Sequence, residues 1–529
     1  MLRHVPFLLL HAVKTTVTKR RLIRPSLIGR GTCAVLMALA CLLLVSAMAL
    51  AGNIRDFGAK GDGSTDDTTA IQTAIDTCSA NGEKLIFPAG TFLTGTVFLR
   101  SNTAIELTTK AVWKGIGRVD AYPMQRPRGF GGRMISAWRA MIYAEDVENV
   151  SIGGQGTIDG NGGHAALHTG SRNSPDRPFG LWIIRGRDIR IEAVQMRHSA
   201  FWMQHYEQCD HVRITGIRVF NHANLNNDGV DLTDCHDVIV SDAEIDSSDD
   251  ALCIKSHGER GASDMVISNC VLASHADAFK MGTASVGGFR RITANNLVIR
   301  PSAADHIEHP LKVKGGLAGI DLMSTDGGTL EDIVIQNVVM DGVETPVVIK
   351  LGDRWAKGGR PDEARGSARE GGPPRTTAGV VRNVLIGHVV ARRSGPIPSS
   401  ITGYPGHCVE NITLSDMLIE IEGGSPATDL KVPENSGRYP YNRIFGQKLP
   451  AHSFFVRHAK NVQFRDVQVK TIAPDQRPAF IFEDATGTLD NVDIVNHGGQ
   501  GIAPVLVDKA GAIGLRGVSR GLKVQVRSN

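Results

Sequence analysis

Aromatic residues are scarce in this chain of 529 residues: Phe, Trp and Tyr together make up 5%. Glycine is abundant, at 59. The pairing excludes a core filled by large rings and fits many tight turns around a narrow aliphatic interior. No helix-period apolar pattern runs through the middle of the chain, which excludes a helical body. There is no CxxC and no Cys/His cluster, so the sequence calls for no zinc and no other cofactor. Six cysteines follow residue 51. Cys235, Cys253 and Cys270 are spaced 18 and 17 apart. They are expected to stack inside the fold, as buried free thiols or, in an oxidising compartment, as disulfides.

One long apolar run stands near the start. Residues 1–32 carry Lys14, Lys19, Arg20, Arg21, Arg24 and Arg30 and no acid, and an apolar stretch follows from Cys33 to Leu50. Its end, Ala49-Leu50-Ala51, is a small-x-small cleavage pattern. Residues 1–51 therefore read as a signal peptide that exports residues 52–529 to the periplasm or the outside, with no stable membrane association after cleavage. A membrane anchor competes, because the run approaches the roughly 18–20 residues that span a bilayer. With Arg3, the segment holds seven of the 58 basic residues and none of the 54 acidic ones. The remainder has 51 basic and 54 acidic residues, net −3. A nucleic-acid partner gains no support from that balance.

What the chain does have is a repeat. A phrase of the form Asn/Asp, aliphatic, any residue, aliphatic recurs at Val150, Ile189, Val212, Val238, Met265, Ile292, Ile333, Val384, Ile412, Val462 and Val492, at intervals near 25 or twice that. Short alternating strands at such a period are the mark of a stacked β-solenoid, read here as one parallel β-helix from roughly residue 80 to the C-terminus. A helix over 67–78, with Asp66 or Asp67 as N-cap and Ala70, Ile71, Ala74 and Ile75 on one face, is expected to cap its open end. Residues 353–379 and 421–450 are rich in Gly and Pro and fall where the spacing doubles. They read as long loops that wall a binding groove, the first equally as a linker-like insertion.

The chemistry is expected where Asn226-Asn227-Asp228-Gly229 is followed, 21 residues after Asp228, by Ser248-Asp249-Asp250-Ala251. Stacked coils lie roughly 4.8 Å apart, which places the three carboxylates in one patch. A lone Asp in a solenoid turn usually caps backbone N–H groups. Three in one patch repel one another and suit acid/base work, because crowding keeps one of them protonated. Adjacent residues on a strand face opposite sides, so Asp249 and Asp250 both reach the groove only if the chain bends at Ser247-Ser248.

These motifs resemble glycoside hydrolase family 28, the polygalacturonase family, over nearly all of the chain after the signal. Asp56-Phe57-Gly58-Ala59-Lys60-Gly61-Asp62-Gly63 with Thr65-Asp66-Asp67-Thr68 is similar to the opening of pectin-degrading β-helices, and Gly156-Thr157-Ile158-Asp159-Gly160-Asn161-Gly162 to the run before the catalytic coils. Asn226-Asn227-Asp228 resembles the family's Asn-Thr-Asp, and Asp249-Asp250 its Asp-Asp pair. The resemblance implies a right-handed fold and inverting hydrolysis of an acidic plant polysaccharide or oligosaccharide by a monomer. It also implies Asp249 as general acid, Asp228 and Asp250 activating water, and Asn226 ordering the patch. Two motifs depart. The family's Gly-His-Gly aligns with Ala276-Asp277-Ala278, with His275 two residues earlier. Its Arg-Ile-Lys aligns near Gly319-Ile320-Asp321, without the charges. Lys280, facing away from Phe279 and Met281, is a candidate replacement cation; His205 and Arg354 are further candidates for the groove. Two other classes stay open: a polysaccharide lyase using calcium held by the same aspartates, and a non-catalytic carbohydrate-binding solenoid. Endo or exo action depends on how the long loops close the groove.

Overall fold

The computed structural model describes residues 51–529 apart from 129–137, 172–173, 308–311, 355–377, 429–430, 435–441, 447, 499–502, 509–511, 518–522 and 527–529. The coil that follows Asp228 shows the plan. Its three strands are Val230–Thr233, His236–Ser241 and Glu244–Ser247. Each pairs in parallel with its counterpart one coil on, setting Val230 against Leu252, Val238 against Met265 and Ile245 against Leu272. Repeated along the chain, this makes three parallel sheets around one aliphatic core, a right-handed parallel β-helix. The sheet containing Val230–Thr233 is called the site sheet below.

The repeat has a conformational cause. The residue just before the aliphatic pair turns the corner from the site sheet with a left-handed backbone: Asp188, Asp237, Asp264, Asn383, Asn411 and Asn461 all have φ between 54° and 60°. Asn and Asp are the residues other than glycine that adopt this conformation most readily. His211 and Arg291 hold the same corner at φ 53° and 52°, so the position demands a conformation rather than one side chain. The corner amides also bond coil to coil, Asn461 Nδ2 donating to Asn411 Oδ1 at 2.9 Å and Asn411 Nδ2 to Asn383 Oδ1 at 3.2 Å.

The helix α1 (Thr68–Asn81) buries Ile71, Ala74, Ile75 and Cys78 and ends at Gly82, whose φ of 69° closes it. The sequence places the first coil after the helix; the structure starts it before. Ala51–Asn53 already pairs with Lys84–Phe87, and Asp62–Asp66 with Gly90–Thr94. Asp67 stands at the N-cap position but turns its carboxylate to the backbone N–H groups of Lys60 and Gly61, at 2.7 and 2.9 Å. Asp66 accepts from the Thr68 N–H at 3.0 Å instead.

The cysteines do not form the expected column. Cys209 and Cys235 precede partnered residues of adjacent coils and are buried at one corner, whereas Cys253 lies on the outer face of the site sheet and Cys270 elsewhere. All six described cysteines are free thiols. The loop expected over 353–379 falls almost wholly outside the described residues. From the 421–450 segment, Val432, Ile444, Phe445 and Leu449 pack with Phe455 and Ile481 on the outside of the site sheet, so this loop does cover that face.

Candidate active site

On the site sheet, Leu232, Ile254 and Met281 point into the core. Alternation turns their neighbours outward, and His205, Asp231, Cys253, Lys280 and Asp321 stack in register across five coils. Chemistry-bearing side chains therefore collect in one column on the outer face. The three aspartates join that column from the bends that lead into its strands.

The bend before Asp228 is tied to the preceding coil by Asn227. Its Nδ2 donates to the carbonyls of Ser199 at 2.9 Å and Phe201 at 2.7 Å, and its Oδ1 accepts the Asn224 N–H at 2.5 Å. Asn221 Nδ2 donates to the Asp228 carbonyl at 2.9 Å. Gly229 leaves no room for a side chain: a Cβ there would lie 2.4 Å from Ile245 Cγ2 and 2.5 Å from the Ala251 carbonyl. Asn226, at φ 52°, points the other way and donates to Asp249 Oδ2 at 3.2 Å, while its own Oδ1 accepts from the buried Arg177 at 3.3 Å.

The chain does bend after Ser247. Hydroxyls of Ser247 and Ser274 both donate to the Asp249 carbonyl at 2.6 Å, and Ser248 Oγ donates to Asn224 O at 3.1 Å. The Gly229 N–H reaches Asp250 O at 2.9 Å and the Ala251 N–H reaches Asp277 O at 3.0 Å. Both members of the Asp pair thereby escape strand alternation and present their carboxylates on the outside.

Each carboxylate meets an ammonium group. Lys312 Nζ is 2.7 Å from Asp249 Oδ2 and also donates to Ser248 O at 2.6 Å. Lys255 pairs with Asp231, lies 3.5 Å from Asp228 Oδ2, and sits 4.6 Å above the Trp202 ring. Lys280 lies 3.3 Å from Asp250 Oδ1 and 3.6 Å from Asp321 Oδ2, and binds Asp277. The aspartates are packed rather than openly solvated, with Asp228, Asp249 and Asp250 exposed by 3%, 4% and 6%. Burial pushes Asp228 well above the usual carboxylate range, and the charges of Asp231 and Asp249 add to it. Burial also raises Asp231 to about 7 against the pull of Lys255. Burial thus lets Asp228 and Asp231 keep a proton to higher pH than a free carboxyl does, and general acid–base cleavage draws on carboxyl groups tuned in this way.

Of the other residues singled out by sequence, the structure brings Asn226 and Lys280 to the carboxylates. His205 faces outward two coils earlier than Lys280's partner strand, stacked on Trp182 and bonded to Thr233 Oγ1 and Glu207. His275 packs on the His222 ring, 4.9 Å between centroids, with both ring nitrogens lacking a hydrogen-bond partner among the described residues. Burial drives it down to about 4. Arg354 clamps Asp326, whose other contact is the Ser285 N–H. Sequence reasoning missed Asp231, Lys255 and Lys312 and gave Asp277 and Asp321 no role. Asp231 and Lys255 were within reach, since the alternation around Leu232 and Ile254 marks both as outward. Lys312 was not, because it comes from an aperiodic connection.

A parallel β-helix that gathers carboxylates and ammonium groups on one outer face has the frame of a polysaccharide-acting solenoid. The chain belongs to glycosyl hydrolases family 28, whose model matches residues 83–358, and it is a glycoside hydrolase. It is 25% identical over 391 residues to a probable polygalacturonase of Vitis vinifera, covering 70% of this chain and 75% of that one. An exo-poly-α-D-galacturonosidase of Dickeya chrysanthemi is 33% identical over 129 residues, 21% of this chain and 19% of its own. In fold the chain is similar to the family 28 exopolygalacturonase of Yersinia enterocolitica, with TM-score 0.64 and 19% identity over 86% of this chain and 80% of that one. The exopolygalacturonase of Thermotoga maritima gives TM-score 0.59 and 22% identity over 79% and 91%.

Proposed function

We propose that the protein hydrolyses glycosidic bonds of a galacturonate-containing polysaccharide or oligosaccharide with inversion at the anomeric carbon, using Asp228, Asp249 and Asp250. The observation that carries this reading is the convergence of three carboxylates from two successive bends on one outer face, each beside an ammonium group. Inverting cleavage needs one carboxyl to protonate the leaving oxygen and a carboxylate to activate water from the opposite side. In this reading Asp249 donates the proton, and Asp228 and Asp250 hold and activate the water. Residues 1–51, of which only Ala51 is among the described residues, act as an export signal that brings the enzyme to such a polymer.

The test is an activity screen on polygalacturonate, rhamnogalacturonan and short uronide oligomers, with the anomer of the first product read by NMR. Reducing ends released in the inverted configuration support the reading. An unsaturated, ultraviolet-absorbing product lost on chelation indicates a lyase instead, and binding without turnover a carbohydrate-binding module. Asp249→Asn is expected to lower kcat at least about 10²-fold, the scale of general acid catalysis.

A further inference from the structure

Lys280 is buried at 2% exposure, yet its side chain reaches three carboxylates contributed by three coils. One belongs to the catalytic trio and two do not. Asp277 lies three residues before Lys280 on the same strand, Asp277–Ser285, and Asp321 is directly opposite Lys280 on Ala318–Ser324.

We propose that Lys280 is a positioning residue that holds the Asp250 carboxylate aimed at the site, its ammonium fixed in place by Asp277 and Asp321. The geometry distinguishes this from a substrate contact, because the ammonium is enclosed by side chains of its own and adjacent coils. A buried ammonium without paired carboxylates would lose its proton, whereas here the surrounding charges hold Lys280 charged despite the cost of burial. Asp277 and Asp321 grip the ammonium from its own strand and from the next coil, and it also donates to Asp250 Oδ1 at 3.3 Å.

Other charges also face Asp250. Asp228 and Asp231 approach from the coil before; Asp249, Cys253 and Lys255 share its own coil. The next two coils contribute Asp277, Lys280 and Asp321. Lys255 is engaged mainly by Asp231, which leaves Lys280 as the ammonium bonded to Asp250 among the described residues.

The inference rests on the hydrolase reading and has its own test. The pH dependence of kcat/KM is measured for the parent, Lys280→Met and Asp321→Asn, each checked for fold by circular dichroism. Removing the ammonium is expected to move the acid limb up by about one pH unit or more, since an opposite charge at this range shifts a carboxyl by about 1–3 units. Asp321→Asn, whose carboxyl already holds its proton below about 6, is expected to leave that limb in place, with KM near the parent value in both. If Lys280→Met fails to fold, Lys280→Gln, a neutral side chain of similar reach, decides: an upward shift supports the proposal, and a downward or absent shift overturns it. A roughly tenfold rise in KM with the limb unmoved would make Lys280 a substrate contact and also overturn it. A parent enzyme that releases no hydrolytic product refutes the hydrolase reading itself; a parent that cleaves while neither Lys280 variant shifts the limb refutes only this inference.

Discussion

Asn227 stands where the family motif has Thr, and its three bonds to Ser199, Phe201 and Asn224 show what the amide contributes. A threonine hydroxyl has one proton to donate; the amide satisfies two carbonyls and one N–H at once. Asn227→Ala should cost about 2–4 kcal/mol, because it strands buried partners in a wholly buried bend. Urea denaturation checks the magnitude. Activity should fall with it, since the same bend carries Asp228; a variant with parental stability and turnover would contradict this account. Gly229→Ala should be at least as damaging, as neither Ile245 nor the Ala251 backbone can retreat from the core. The resemblance pointed to Asn226 as the residue that orders the patch, and its amide does reach Asp249. The sequence did not show that Asn227 is the support of the bend.

At the scale of elements, the corners matter as much as the strands. Asn296 sits at φ 55°, donates to Asn269 Oδ1 at 3.0 Å and accepts from Asn337 Nδ2 at 3.2 Å. Asn296→Ala should destabilise the protein by about 1–2 kcal/mol from left-handed strain alone. Asn296→Gly should cost less, because glycine pays nothing for the positive φ and loses only the exposed ladder bonds. Denaturant melts of the two variants test the order; Gly proving worse than Ala would mean the ladder outweighs the backbone. The bend after Ser247 belongs to the same argument. Its serines suggested a turn in the sequence, while the two hydroxyls that converge on the Asp249 carbonyl come from adjacent coils and become visible only once the coils are stacked.

For the whole molecule, the buried acids set a pH dependence. Burial raises Asp321 from the usual carboxylate range to about 6, so the folded state keeps a proton that the unfolded chain releases. The unfolded state then binds fewer protons between pH 4 and 6, and this group's contribution to stability falls as pH rises through that window. Asp321→Asn removes the dependence. The difference in Tm, variant minus parent, is therefore expected to become more positive from pH 4 to pH 6 in thermal scans. A flat difference would show that Asp321 titrates normally. The depressed His275, at about 4, acts in the opposite sense: its contribution is present above the unfolded value near 6.5 and is lost as pH falls toward 4. Comparing the variant with its parent at each pH cancels that background.

The linear sequence by itself determined the architecture and the place of the aspartates. A solenoid repeats one conformation at one period, so its corners and inward aliphatics are written in the chain at fixed intervals. Asp228, Asp249 and Asp250 could be set one coil apart by counting. The tertiary structure alone decided their environment. Lys312 arrives from an irregular connection, Asp321 from two coils beyond Asp250, and Lys280 joins three coils through one ammonium. Those contacts depend on exact stacking and on which side chains exclude water, and burial rather than residue type is what raises Asp228 and Asp231. Charge and protonation in this site are properties of packing, and packing has no period to read.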